Sequence, residues 1–135
     1  MGISALGENS IRTPLKIGRG GTAPVLGSVE LLFANCVILL YNRAIQLNPK
    51  DTIPYNNRGY AKNKLGNYRG AIQDLDPAIQ LYPGFAAAYF WRGVTSLKLG
   101  DRYSAKTDLL KAKELYQSRG DTESVATVES WLTDL

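Results

Sequence analysis

Histidine is absent from this sequence of 135 residues, and cysteine occurs once, at Cys36. Without histidine, neither a Ser-His-Asp nor a Cys-His catalytic arrangement can be assembled. A single cysteine excludes an intrachain disulfide and leaves no Cys/His set for zinc, so no metal or cofactor is expected. The lone thiol suits a reducing compartment, and the expected location is the cytoplasm. Acidic residues are outnumbered, twelve against sixteen basic ones, giving a net charge of +4. Long apolar runs are also missing. The richest, VELLFANCVILLY from Val29 to Tyr41, is interrupted by Glu30 and Asn35 and is shorter than a membrane span requires. A buried helix of a soluble protein is the expectation there, with no membrane as partner.

Residues 1–27 differ from the remainder. Six glycines and two prolines fall there, and Arg12, Lys16 and Arg19 face one acid, Glu8. The stretch GRGGTAP has glycines enough for a phosphate loop, but no Lys-Ser or Lys-Thr follows it. The composition predicts a poorly ordered tail, and its basic, acid-poor start also suits an organellar transit peptide.

From Ser28 onward the apolar spacing is helical. Ser28 is placed to cap a helix ending near Leu47, and Asp51 or Thr52 to cap the next, with Pro54 in its first turn, where a missing N–H costs nothing. Gly66, Gly100 and Gly120 stand where helices end, and Asn67, Asp101 and Asp121 follow as caps. No segment alternates as a strand would. The class is all-α, with one misfit: Pro77 lies inside a predicted helix, removes its bond to the Gln73 carbonyl and predicts a kink.

The chain repeats itself. Shifted by 34 residues, Arg58, Gly59, Lys64, Leu65, Gly66, Ala71, Asp74, Leu75, Ala78, Leu81 and Tyr82 meet the same residue types at Arg92, Gly93, Lys98, Leu99, Gly100, Ala105, Asp108, Leu109, Ala112, Leu115 and Tyr116. Upstream, AIQLNP (Ala44 to Pro49) matches AIQLYP (Ala78 to Pro83) at the same offset. A period of 34 residues made of two helices, with Tyr55, Gly59, Leu65-Gly66, Tyr68, Ala71, Ala78 and Pro83 in one copy and Tyr89, Gly93, Leu99-Gly100, Ala105 and Ala112 in the next, resembles the tetratricopeptide repeat (TPR) family. The resemblance implies a right-handed α-solenoid of stacked helical hairpins. Residues 28–51 would be a partial repeat with only its second helix, 52–85 and 86–119 full repeats, and 120–135 a capping helix. Val125, Val128, Leu132 and Leu135 give that cap its apolar stripe, with Trp131 beside it.

In this family the first helices of successive repeats line a concave groove that binds peptides. Carried onto this sequence, the groove positions are Ile53, Asn56, Asn57, Tyr60, Asn63 and Lys64, then Ala87, Phe90, Trp91, Val94, Leu97 and Lys98. Of the residues with which some subfamilies clamp a terminal carboxylate, Asn57 alone matches. No acid occurs between Thr52 and Gln73 or between Pro77 and Gly100. A groove favouring an acidic protein or peptide segment follows, in a non-enzymatic scaffold. A basic nucleic-acid-binding helical repeat is the alternative, weakened by the modest net charge. Arg58 and Arg92, each sixteen residues before an aspartate, predict internal ion pairs rather than ligand contacts. The apolar 29–41 segment, lacking a first-helix partner, predicts self-association.

Overall fold

The computed structural model describes residues 27–135, so the reading of residues 1–26 as a poorly ordered tail, and of GRGGTAP, lies outside the described residues. Six helices follow one another: α1 (Ser28–Leu47), α2 (Thr52–Lys64), α3 (Tyr68–Leu81), α4 (Ala86–Lys98), α5 (Arg102–Ser118) and α6 (Thr122–Thr133). No strand occurs among the described residues. Each helix packs on the next, and α2 also touches α4, so α2–α3 and α4–α5 are stacked hairpins with α6 behind them.

The local signals act as the sequence implies. The side chains of Asp51, Asn67, Asp101 and Asp121 accept backbone N–H bonds from Ile53, Gly70, Ser104 and Ser124, satisfying donors that each helix start leaves unpaired. Gly66, Gly100 and Gly120 have φ of 84°, 89° and 72°, the left-handed conformation that ends a helix and reverses the chain. The start of α1 differs from expectation: Gly27 occupies the cap position and Ser28 is the first helical residue. Helix α3 continues through Pro77 for one further turn to Leu81.

Two small clusters make the core. Ala71, Leu75, Ala78 and Ala88 form one; Val94, Leu109, Ala112 and Val128 form the other. Trp91 packs against both and links the hairpins. Alanines where helices cross bring the backbones close. Gly59 and Gly93 bring them closer still: a Cβ at Gly59 would lie 2.8 Å from Leu75 Cγ and 3.2 Å from the Ala71 carbonyl oxygen, and one at Gly93 would lie 3.0 Å from Leu109 Cγ and 3.1 Å from the Ala105 oxygen.

Helix α1 corrects two expectations. It runs well past the interrupted apolar run, and Val29–Leu47, 19 residues of mean hydropathy 1.2, is long and apolar enough to cross a membrane by length and composition. Nor is it buried. Leu32, Phe33, Leu39 and Leu40 are 65–69% exposed, and no residue of that window is fully buried. The cause is topological: α1 packs on α2, and among the described residues no first-helix partner covers its other side.

Candidate functional site

Residues of a helix that lie three, four or seven apart share a face, so α2 and α4 each have two faces of different chemistry. One face of α2 holds Arg58, Lys62 and Leu65; the corresponding face of α4 holds Arg92, Ser96 and Leu99. The opposite faces hold Ile53, Asn56, Tyr60, Asn63 and Lys64 on α2, and Phe90, Val94, Leu97 and Lys98 on α4, with Asn57 and Trp91 at the border.

The Arg face is an internal ladder. Arg58 donates through Nε and Nη2 to both carboxylate oxygens of Asp74, at 2.8 and 2.5 Å, and through Nη1 to Asn42 Oδ1 at 2.6 Å. Arg92 repeats the arrangement one period later, donating to Asp108 at 2.8 and 2.9 Å and to Asp76 at 2.9 Å. Each arginine therefore ties the second helix of its own repeat to the second helix of the repeat before. Lys62 joins Asp74 at 3.0 Å. The bonds to Asp74 and Asp108 are the largest influence holding the Arg58 and Arg92 guanidinium groups protonated more firmly than usual, against the opposing effect of burial. The sequence located these pairs but not their third corners, Asn42 and Asp76, whose signal was present in the same spacing of sixteen residues. An open pocket of about 400 Å³ lies on this side, between α3 and α5 over Arg92.

The other face carries an aromatic row. Tyr60 meets Trp91 edge-on at 4.5 Å between ring centroids, Trp91 meets Phe90 at 5.0 Å, and Phe90 meets Trp131 of α6 at 6.3 Å. The row thus runs across α2, α4 and α6. Lys64 places its ammonium 5.5 Å from the Tyr60 ring centroid, a cation–π distance. A smaller pocket of about 180 Å³ opens where Phe90 and Trp91 meet Tyr116, Ser124, Thr127 and Val128.

The expected groove residues divide on this geometry. Tyr60, Lys64 and Lys98 are exposed, and Asn57, Phe90 and Trp91 are half-buried. Asn63 is buried and donates to Thr95 Oγ1 at 2.7 Å, joining α2 to α4. Asn56 is 7% exposed; its amide donates to Asn57 Oδ1, and its own Oδ1 is buried without a partner. Val94 is a correction. It is 2% exposed and packed with Leu109, Ala112 and Val128, so it belongs to the core, because α6 lies over this turn of α4.

The acid-free first helices are also less basic than their composition suggests. Of their five cations, Arg58, Lys62 and Arg92 are engaged by Asp74, Asp76 and Asp108 on the ladder face. Lys64 and Lys98 alone among them have no carboxylate partner among the described residues. They occupy equivalent positions, 34 residues apart, beside the aromatic row. Trp131 was missed as a member of that row; its apolar flanking position on α6 suggested packing only.

No curated protein matches the chain. Among solved structures, the TPR2AB-domain:pHSP90 complex of yeast Sti1 is similar at 25% identity and a TM-score of 0.68, over 72% of this chain and 38% of that one. This chain therefore spans well under half of the Sti1 chain. The type III secretion translocator chaperone SycD of Yersinia enterocolitica is similar at 18% identity and a TM-score of 0.73, over 78% of this chain and 74% of that one. PcrH in complex with the chaperone binding region of PopD is similar at 17% identity and a TM-score of 0.71, over 97% and 86% of the two chains. The last two likenesses concern the fold alone. The tetratricopeptide repeat is matched twice in the sequence, over residues 40–73 and 86–119, the first match straddling α1, α2 and the start of α3, the second covering α4 and α5. With two helical hairpins stacked through Gly59 and Gly93 and half of its length so matched, the chain belongs to the tetratricopeptide repeat family.

Proposed function

We propose that this chain is a non-enzymatic protein-interaction module whose α2–α4–α6 face binds a peptide segment containing acidic residues. The observation that carries the reading is the aromatic row Tyr60–Trp91–Phe90–Trp131 flanked by the two unpartnered lysines, Lys64 and Lys98. Aromatic edges supply contact area at low conformational cost, and lysines at a fixed repeat distance supply two attachment points for carboxylates. The Sti1 and PcrH structures are complexes with protein-derived segments, which favours a peptide as the ligand class. The terminal-carboxylate clamp is not part of the proposal, since Ala87 and Trp91 stand where it needs basic side chains. Nucleic acid is disfavoured by the engagement of Arg58, Lys62 and Arg92 in internal pairs, which leaves only two free cations on these helices.

Trp91 and Trp131 are the only tryptophans and both lie in the row, so intrinsic fluorescence reports occupancy directly. Titration with a panel of peptides matched in length and apolar content, differing in the sign of their charge, is the test. Acidic members are expected to bind and shift the emission, with affinity falling about tenfold or more in Lys64→Glu/Lys98→Glu. Equal binding of acidic and basic members by both proteins would refute the acidic preference. Loss of all peptide binding with tight salt-dependent retention of RNA would refute the module itself.

A further inference from the structure

The unpartnered surface of α1 has no role in the peptide site, and its chemistry selects an occupant. Successive residues of a helix point about 100° apart. Leu31, Leu32 and Phe33 are all exposed, so this turn has no neighbour on any side and projects beyond the α2 contact. Leu39, Leu40 and Leu47 extend the apolar surface to the other end. The charges on the helix bracket this surface. Glu30 and Arg43 are its only ionised side chains, with twelve uncharged residues, Leu31 to Asn42, between them.

We propose that α1 pairs antiparallel with α1 of a second copy of the chain about a two-fold axis between Cys36 and Val37. Residues 30 and 43 are equidistant from that point. The two-fold therefore brings Glu30 of each copy beside Arg43 of the other, closing both ends of the apolar seam with an opposite-charge pair. A two-fold interface is self-complementary, and this spacing of charges is what such an interface requires. Neither charge is committed elsewhere: no ion pair holds Arg43 among the described residues, and Glu30 accepts only a long 3.4 Å bond from the Gly27 N–H.

A bilayer fits less well. The uncharged stretch covers about 18 Å of helix against roughly 30 Å of hydrocarbon. The later half of α1 is also held in the repeat stack, where Asn42 accepts from Arg58. Residues 1–26 fit less well too, since they contain no run free of glycine and proline longer than six residues and so no sustained apolar stripe.

Sedimentation of the full chain at micromolar concentration is the experiment, with Glu30→Arg, Arg43→Glu and the double exchange compared by circular dichroism for intact folding. A dimer is expected in the wild type. Each single reversal sets like charges together at both ends and should weaken it about tenfold, while the double exchange should restore it. A bismaleimide should join the two Cys36 thiols in the wild-type dimer, and absence of that product would overturn the register. A wild-type monomer that binds no hydrophobic dye would overturn the proposal in favour of coverage by residues 1–26. Partition into phosphatidylcholine vesicles without dimers would overturn it in favour of a bilayer. Association equally strong in all variants would overturn the charge pairing.

Discussion

At the scale of single residues, the same side-chain type does different work on different faces of one helix. Arg58 and Lys64 are six residues apart on α2, yet one is locked to Asp74 and Asn42 while the other stands over Tyr60. Composition read both as groove charge; the sixteen-residue spacing to an aspartate separated them. Because Asp74 is almost wholly buried between Arg58 and Lys62, replacing it leaves two cations facing each other. Asp74→Ala should cost about 3 kcal/mol, the low end for a buried pair since Arg58 is partly exposed. Chemical denaturation measures it, and a loss below 1 kcal/mol would show the ladder to be ornamental. Asp101 and Asp121 give a pH signature. Bonds from the Ser104 and Ser124 side chains, then from their backbone N–H groups, hold both carboxyls below the usual value. A lowered folded pKa contributes stability that is present above about pH 4, the unfolded value, and disappears as pH falls through the folded one. The caps of α5 and α6 should therefore loosen below about pH 4. Asp101→Asn/Asp121→Asn keeps the capping oxygen and should flatten this part of the melting-temperature profile.

Elements were legible where a residue type has a single local meaning. Glycine after a helical stripe, followed by Asn or Asp, specified both the end of one helix and the start of the next, and all three such junctions occur at Gly66, Gly100 and Gly120. What escaped was what depends on neighbours. The exposure of α1 could not be read from its own apolar pattern, which is that of a covered helix; it follows from the absence of a packed element on its other side. Val94 was misplaced for the same reason, since a groove position in an inner repeat becomes core when α6 closes the stack over it. Asn63 was legible as polar and inward, but its bond to Thr95 depends on a contact between two first helices that no periodicity encodes. Two replacements test element packing in opposite directions. Gly93→Ala places a methyl at 3.0–3.2 Å from Leu109, Ala105 and Asp108 atoms and should cost about 1–3 kcal/mol by forcing α4 from α5. Pro77→Ala restores an N–H inside α3, where the next repeat has Lys111, and should stabilise by about 1 kcal/mol or more. A gain from the glycine change or a loss from the proline change, in urea unfolding, would mean that these helices are held differently.

At the scale of the whole molecule, a stack in which each helix touches mainly its neighbours has no central core to unify it, so its stability is distributed and its ends are where it opens. The two core clusters share only Trp91, and the second is completed by Val128, Trp131, Leu132 and Leu135 of α6. The cap is thus both a lid on the last hairpin and the far end of the aromatic row. A charge at Val128, which is 1% exposed and contacts the Val94–Leu109 cluster, would have no partner there and should lift α6 from the stack. In Val128→Asp, α6 should melt before α2–α5. Trp131 emission should shift to longer wavelength at a lower denaturant concentration than the main loss of helical circular dichroism, where the wild type shows the two together. The same variant should weaken peptide binding while leaving the Arg58 and Arg92 ladder intact, because Phe90 loses its α6 neighbour and the row is shortened by one ring. Coincident transitions in the variant, or unchanged peptide affinity after α6 has come away, would place the recognition surface on α2 and α4 alone.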